Sequence, residues 1–74
     1  LGIVLPCDAN VPAYEFKTDS SERIEILAGE CEVKLAGEEE FTYYRAGQAF
    51  LVEGHSSYEL RNEAVVQYIC HLEG

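Results

Sequence analysis

The chain has 74 residues, of which 47% are apolar, 11% aromatic and 26% charged. A chain this short makes one small domain that buries only about 60% of its unfolded surface, yet it is too apolar to remain disordered. Fourteen acidic against five basic residues leave a net charge of −9, which excludes nucleic-acid polymers and anionic lipid surfaces as expected partners.

The first residues, Leu1-Gly2-Ile3-Val4, are apolar from the outset and read as a strand in progress. The chain contains no methionine, so a further N-terminal segment that pairs with this strand is expected to precede it. Tyr14 and Phe16 share one face of the next run. From Glu22 to Ala28, the residues Ile24, Ile26 and Ala28 alternate against Arg23, Glu25 and Leu27. Ala28-Gly29-Glu30 reads as a hairpin turn. Cys31, Val33 and Leu35 then alternate with Glu32 and Lys34, and Glu38-Glu39-Glu40 reads as a solvated hairpin loop.

The second half keeps the same habit. Phe41 to Tyr44 is aromatic and strand-like, Arg45-Ala46-Gly47 turns, and Gln48 to Val52 forms another run. Glu53-Gly54-His55 ends it, Ser57 to Arg61 follows, and Asn62-Glu63 is a polar break. Val65 to Leu72 closes the chain with Val66, Tyr68, Cys70 and Leu72 on one face. This period of two marks half-buried strands, and no apolar stripe of helical period persists. The expected fold is all-β: one domain of about seven or eight short strands in a barrel or sandwich. Cysteines at 7, 31 and 70 are odd in number and lack a CxxC spacing. Small secreted domains pair an even set, so the thiols are expected to be reduced and the protein cytoplasmic.

Glu22 with Gly29 after six residues, and Gly47 with Glu53 after five, then Tyr58 and Asn62, resemble the paired motifs of the cupin superfamily. That resemblance implies a double-sheet jelly roll whose functional side chains point inward from the strands beside two turn glycines. The cupin metal ligands are mostly absent. Glu15 or Phe16, and Lys17 or Thr18, stand where two histidines belong, and Tyr58 replaces the third. Glu22 alone remains, whereas a catalytic metal takes about three protein ligands. No metal site is expected, and His55 and His71 lie off the ligand positions.

Within the cupins, three stretches are more specific. They are Tyr14 to Thr18 with Glu22 and Gly29, Ala46 through Tyr58, and Tyr68-Ile69-Cys70. Together they resemble the pyrimidine/purine nucleoside phosphorylases, small single-domain cupins, over nearly the whole chain. Phe41 stands where that family usually has tryptophan, Glu53 where it has proline, and His71 where a basic residue is usual. The resemblance implies metal-independent phosphorolysis of purine and pyrimidine nucleosides to free base and pentose 1-phosphate, with broad specificity. It implies no cofactor beyond inorganic phosphate as co-substrate, and a homodimer.

The site residues expected on this reading are few. Glu22 would hold a ribose hydroxyl or stabilise a cationic sugar, and the imidazole of His55 would donate a proton to the departing base. Tyr14, Phe16, Phe50, Tyr58 and Tyr68 would line the interior and stack on the base, although a small sandwich equally needs aromatic filling. Thr18 and Ser57, with Ser56, would meet phosphate through hydroxyls and backbone N–H groups. The cations available to phosphate are Lys17, Arg23, Lys34, Arg45 and Arg61. Cys70 is expected to pack beside Tyr68 rather than act as a nucleophile. The rival reading is a non-catalytic cupin that binds a small polar ligand as a sensor or storage module, because one fold hosts many functions.

Overall fold

The computed structural model describes residues 1–73. Eight strands follow one another with no helix: β1 (Gly2–Val4), β2 (Tyr14–Lys17), β3 (Glu22–Ala28), β4 (Glu30–Leu35), β5 (Thr42–Arg45), β6 (Ala49–Val52), β7 (Ser57–Arg61) and β8 (Val66–Leu72). Each coincides with a stretch of alternating sequence. The period of two puts Ile24 and Ile26, Cys31 and Val33, Phe50 and Val52, and Tyr58 and Leu60 on buried faces.

The strands form two antiparallel sheets, ordered β1-β8-β3-β6 and β2-β7-β4-β5. The pairs β1·β8, β2·β7, β3·β6 and β4·β5 are nested. The chain is thus one long hairpin whose successive pairs fall alternately into the two sheets. That is a jelly roll, the architecture the cupin resemblance implies. The Glu38-Glu39-Glu40 loop joins β4 to β5 and is exposed, as expected of a solvated hairpin tip.

The expectation for Ala28-Gly29-Glu30 needs correction. It is not a hairpin, because β3 lies in the first sheet and β4 in the second. Gly29 adopts φ 87° and turns the chain from one sheet into the other. A side chain there would bring its Cβ within 2.5 Å of the Val65 carbonyl oxygen. Gly47, at φ 91°, serves the matching corner between β5 and β6. The two corners are bonded together, with the Ala46 N–H donating to the Gly29 carbonyl at 3.1 Å and the Gly47 N–H to the Ile26 carbonyl at 2.9 Å.

The core between the sheets centres on Ile24, Ile26, Val33 and Val66, all fully buried. Each such side chain contributes roughly 1.5–3 kcal/mol. Two buried polar residues tie the loops to this core. The Asn62 amide donates to the Val4 carbonyl at 3.2 Å and to the Ala64 carbonyl at 2.8 Å, while its oxygen accepts from the Cys7 thiol at 3.3 Å. The Thr18 hydroxyl donates to the Glu53 carbonyl at 2.6 Å and accepts from the Ser56 N–H at 3.0 Å, latching the β6–β7 turn. No helix among the described residues is long and apolar enough to cross a membrane.

Candidate active site

The inner face of the first sheet is closed at one end and open at the other. Along β8, Val66 is 0% exposed while Leu72, on the same face, is 73% exposed. Tyr68 and Cys70 lie between them, half-buried and exposed respectively. This open end is where the inward residues of β3 and β8 change from aliphatic to polar.

Glu22 is the first residue of β3 and shares the inward face of Ile24 and Ile26. It lies between Val52 of β6 and Leu72 of β8. Its carboxylate accepts a hydrogen bond from the Cys70 thiol, Sγ to Oε1, at 3.2 Å. Cys70 pairs with Ile24 and Tyr68 with Ile26, so both face the interior. The Tyr68 ring lies directly over Gly2 of β1, and any side chain at Gly2 would collide with it.

The second sheet closes over this group with aromatic rings. Tyr58 of β7 sits between Phe16 of β2 and Leu35 of β4. The Phe16 and Tyr58 rings stack at 5.1 Å, and Phe50 meets Tyr58 edge-on at 5.5 Å. Tyr14 stands 6.4 Å from Phe16. Only 5% of Tyr58 is exposed. Its hydroxyl makes no hydrogen bond to the described residues, yet among those residues no buried polar side-chain atom lacks a partner, so the hydroxyl reaches open space. Burial, then the nearby Tyr68, Glu22 and Cys70, push its pKa far up. Tyr58 therefore keeps its hydroxyl proton.

Glu22 also borders a cleft of ≈ 670 Å³ at the mouth of the sandwich, with Leu35, Val52, Glu53, Ser56 and Glu73 among its other walls. That volume falls within the range of about 300–1,000 Å³ usual for small-molecule sites. His55 is exposed at the tip of the β6–β7 turn, between Glu53 and Ser56, and adopts φ 52°.

Of the residues expected at the site, Glu22 lines the cleft, whereas Tyr58 lies behind it near Tyr68 and Cys70 with Phe16 stacked on it and Tyr14 beyond; neither these rings nor His55 form its walls. Phe50 is buried as a prop for Tyr58 and Tyr44. The Thr18 hydroxyl is spent on the turn it latches. Ser57 pairs with Lys17 on the other face of the second sheet, and its carbonyl accepts the Ala36 N–H at 3.1 Å. Sequence reasoning passed over the Cys70–Glu22 contact. Its signal was the parity of Cys70 with Tyr68, which puts a thiol rather than an aliphatic group on an inward face. Cys31 packs in the core: it is buried, and burial followed by the charge of Glu32 pushes its thiol up to about 11.

Three of the cations are held in ion pairs. Arg61 bonds Glu32 at 2.9 Å and stacks 3.8 Å from the centre of Phe41, and Lys34 pairs with Glu59 at 3.2 Å. All four charged groups stand on the outer face of the second sheet. Arg23 pairs with Glu73 at 3.3 Å, and His71 with Glu25 at 3.1 Å. Among the described residues, the cleft is lined by the carboxylates of Glu22, Glu38, Glu53 and Glu73 and by no basic side chain. The described residues also gather no group of three side chains suited to a metal ion.

An eight-stranded jelly roll with an inward carboxylate and aromatic rings at its mouth is a small cupin-like domain. The chain belongs to the Pyrimidine/purine nucleoside phosphorylase family, whose model matches residues 1–72. It is 68% identical over 74 residues to a Psychrobacter cryohalolentis protein named pyrimidine/purine nucleoside phosphorylase 1, covering 100% of this chain and 67% of that protein. An Acinetobacter baumannii pyrimidine/purine nucleoside phosphorylase is 43% identical over the same 74 residues, which span 66% of its length. The chain thus spans about two thirds of the length of these curated relatives. A solved structure of an Acinetobacter protein of unknown function superposes with a TM-score of 0.90 at 41% identity, covering 96% of this chain and 65% of that one.

Proposed function

We propose that the open end of the sandwich is the place where a nucleoside is split by phosphate. A phosphate oxygen forms a bond to the anomeric carbon of the ribose as the bond to the base nitrogen breaks. The bonding pair leaves with the base, which takes up a proton, and the products are free base and pentose 1-phosphate. Positive charge builds on the sugar during this exchange. The observation that carries the proposal is the Glu22 carboxylate, bonded to the Cys70 thiol and lining a cleft of nucleoside size.

Each role follows from position. Glu22 faces the sugar, where its charge opposes the developing cation or its oxygens hold a ribose hydroxyl. Tyr58, permanently protonated, donates its O–H to the sugar or the base. Phe16, Tyr14 and Tyr68 offer ring faces to purine and pyrimidine alike, since stacking does not read base edges, and this supports broad specificity. His55 at the rim donates the proton to the base. Ser56 and the turn latched by Thr18 present hydroxyl and N–H groups to phosphate, with Ser57 holding the next residue in place. Arg23 is the cation whose partner, Glu73, lines the cleft, and phosphate would draw it from that carboxylate. Proximity of two bound reactants contributes roughly 7–11 kcal/mol of barrier lowering without any metal. Phosphate is the co-substrate and no cofactor takes part.

The working protein is a cytoplasmic homodimer in this reading. Ile3, Leu27 and Leu51 are exposed on the outer face of the first sheet, and a thin core is often supplemented by a partner. Free base released from inosine and from uridine, strictly dependent on added phosphate, is the test. Tight nucleoside binding without any release would instead establish the small-ligand-binding module.

A further inference from the structure

We infer that Cys70 is a positioning residue for Glu22, its thiol fixing one carboxylate oxygen so that the other faces the sugar. The inference rests on the phosphorolysis reading of the cleft. Glu22 begins β3 and borders the cleft, and its side chain has several rotatable bonds. Holding such a side chain on binding substrate costs rotamer entropy. Among the described residues the Cys70 thiol is the one side-chain donor to this carboxylate, at 3.2 Å, and no cation pairs with it within 4.0 Å. The anchor comes from the neighbouring strand, where Cys70 is held by pairing with Ile24.

Two alternatives for Cys70 fit less well. Core packing does not explain it, because Cys70 is exposed although its side chain faces inward. Nucleophilic chemistry requires a thiolate, whereas burial, then the hydrogen bond and charge of Glu22, push this thiol up. Cys70 is thus built to stay an S–H donor. Tyr68, two residues earlier on the same face, and Tyr58 opposite it complete the surroundings of the pair.

The test compares Cys70→Ala with Cys70→Ser, which keeps a donor of similar length. The Ala variant is expected to lose about tenfold in kcat with KM for nucleoside changed less than about twofold, the pattern of a lost transition-state interaction. Its Tm should stay within about 2 °C, because an exposed side chain adds little to the core. The Ser variant should recover to within about threefold of the parent. An Ala variant with unchanged kcat, or Ala and Ser variants equally impaired, overturns the inference while leaving phosphorolysis intact. A second measurement needs no activity: iodoacetamide labelling of Cys70, mapped by mass, in the parent and in Glu22→Gln. Loss of the carboxylate charge should speed labelling about threefold at mildly alkaline pH. Unchanged labelling overturns the contact itself, even where no nucleoside is split.

Discussion

Tyr58 stands between Phe16 and Leu35, with its ring in the core and its hydroxyl at the open end. A buried ring with a free hydroxyl separates packing from chemistry within one residue. Tyr58→Phe should therefore change stability by less than about 1 kcal/mol while lowering kcat/KM about tenfold, as read from denaturant melts and initial rates. Cys31 tests burial by pH. Its thiol rises from an ordinary 9.0 to about 11 in the folded protein. A group whose folded pKa is raised stabilises the fold below its unfolded pKa and loses that contribution as pH climbs through the folded value. Unfolding free energy should accordingly fall by on the order of 2 kcal/mol between about pH 9 and 11. Cys31→Val should remove the part of the decline that begins near pH 9 and leave the part that the raised Tyr58 adds above about pH 10.

At the level of elements, Gly29 is the joint between the two sheets. Its φ of 87° and the Val65 carbonyl 2.5 Å from any Cβ leave no room for a side chain. Gly29→Ala should cost about 2–4 kcal/mol in unfolding free energy, whereas Gly37→Ala, strained at φ 85° but with open space around it, should cost less. Glu22–Ala28, with Ile24 and Ile26 inward, was legible from alternation alone. So was the inward face of β8 from Val66 to Leu72. The sheet to which β4 belongs was not legible, because alternation records two faces and is silent on which neighbour a strand pairs with. The same limit hid the Cys70–Glu22 contact, which joins residues 48 apart through that pairing. Thr18 was read as a phosphate ligand because a hydroxyl in a loop invites that reading. Its partners, Glu53 and Ser56, lie beyond any local window.

Across the whole molecule the charges are sorted by face. Lys34 and Arg61 form ion pairs on the outside of the second sheet, while four carboxylates border the cleft. The proposed entry of phosphate thus meets the negative charge of the cleft as well as the net charge of −9. Raising ionic strength from about 0.01 M to 0.15 M shortens the Debye length from about 30 Å to about 8 Å. KM for phosphate should fall severalfold over that range. A rise in KM would show a net positive cradle instead.

The nested hairpin brings Glu22, the first inward residue of β3, beside Cys70 and Leu72 near the end of β8. The direct measurement is phosphate-dependent release of base from inosine and uridine by the parent and by Glu22→Gln, with folding of both checked by circular dichroism. The account predicts release by the parent that requires phosphate, and a loss of about a hundredfold in kcat in the folded variant for both nucleosides. A folded Glu22→Gln variant that keeps kcat within about twofold of the parent would contradict it.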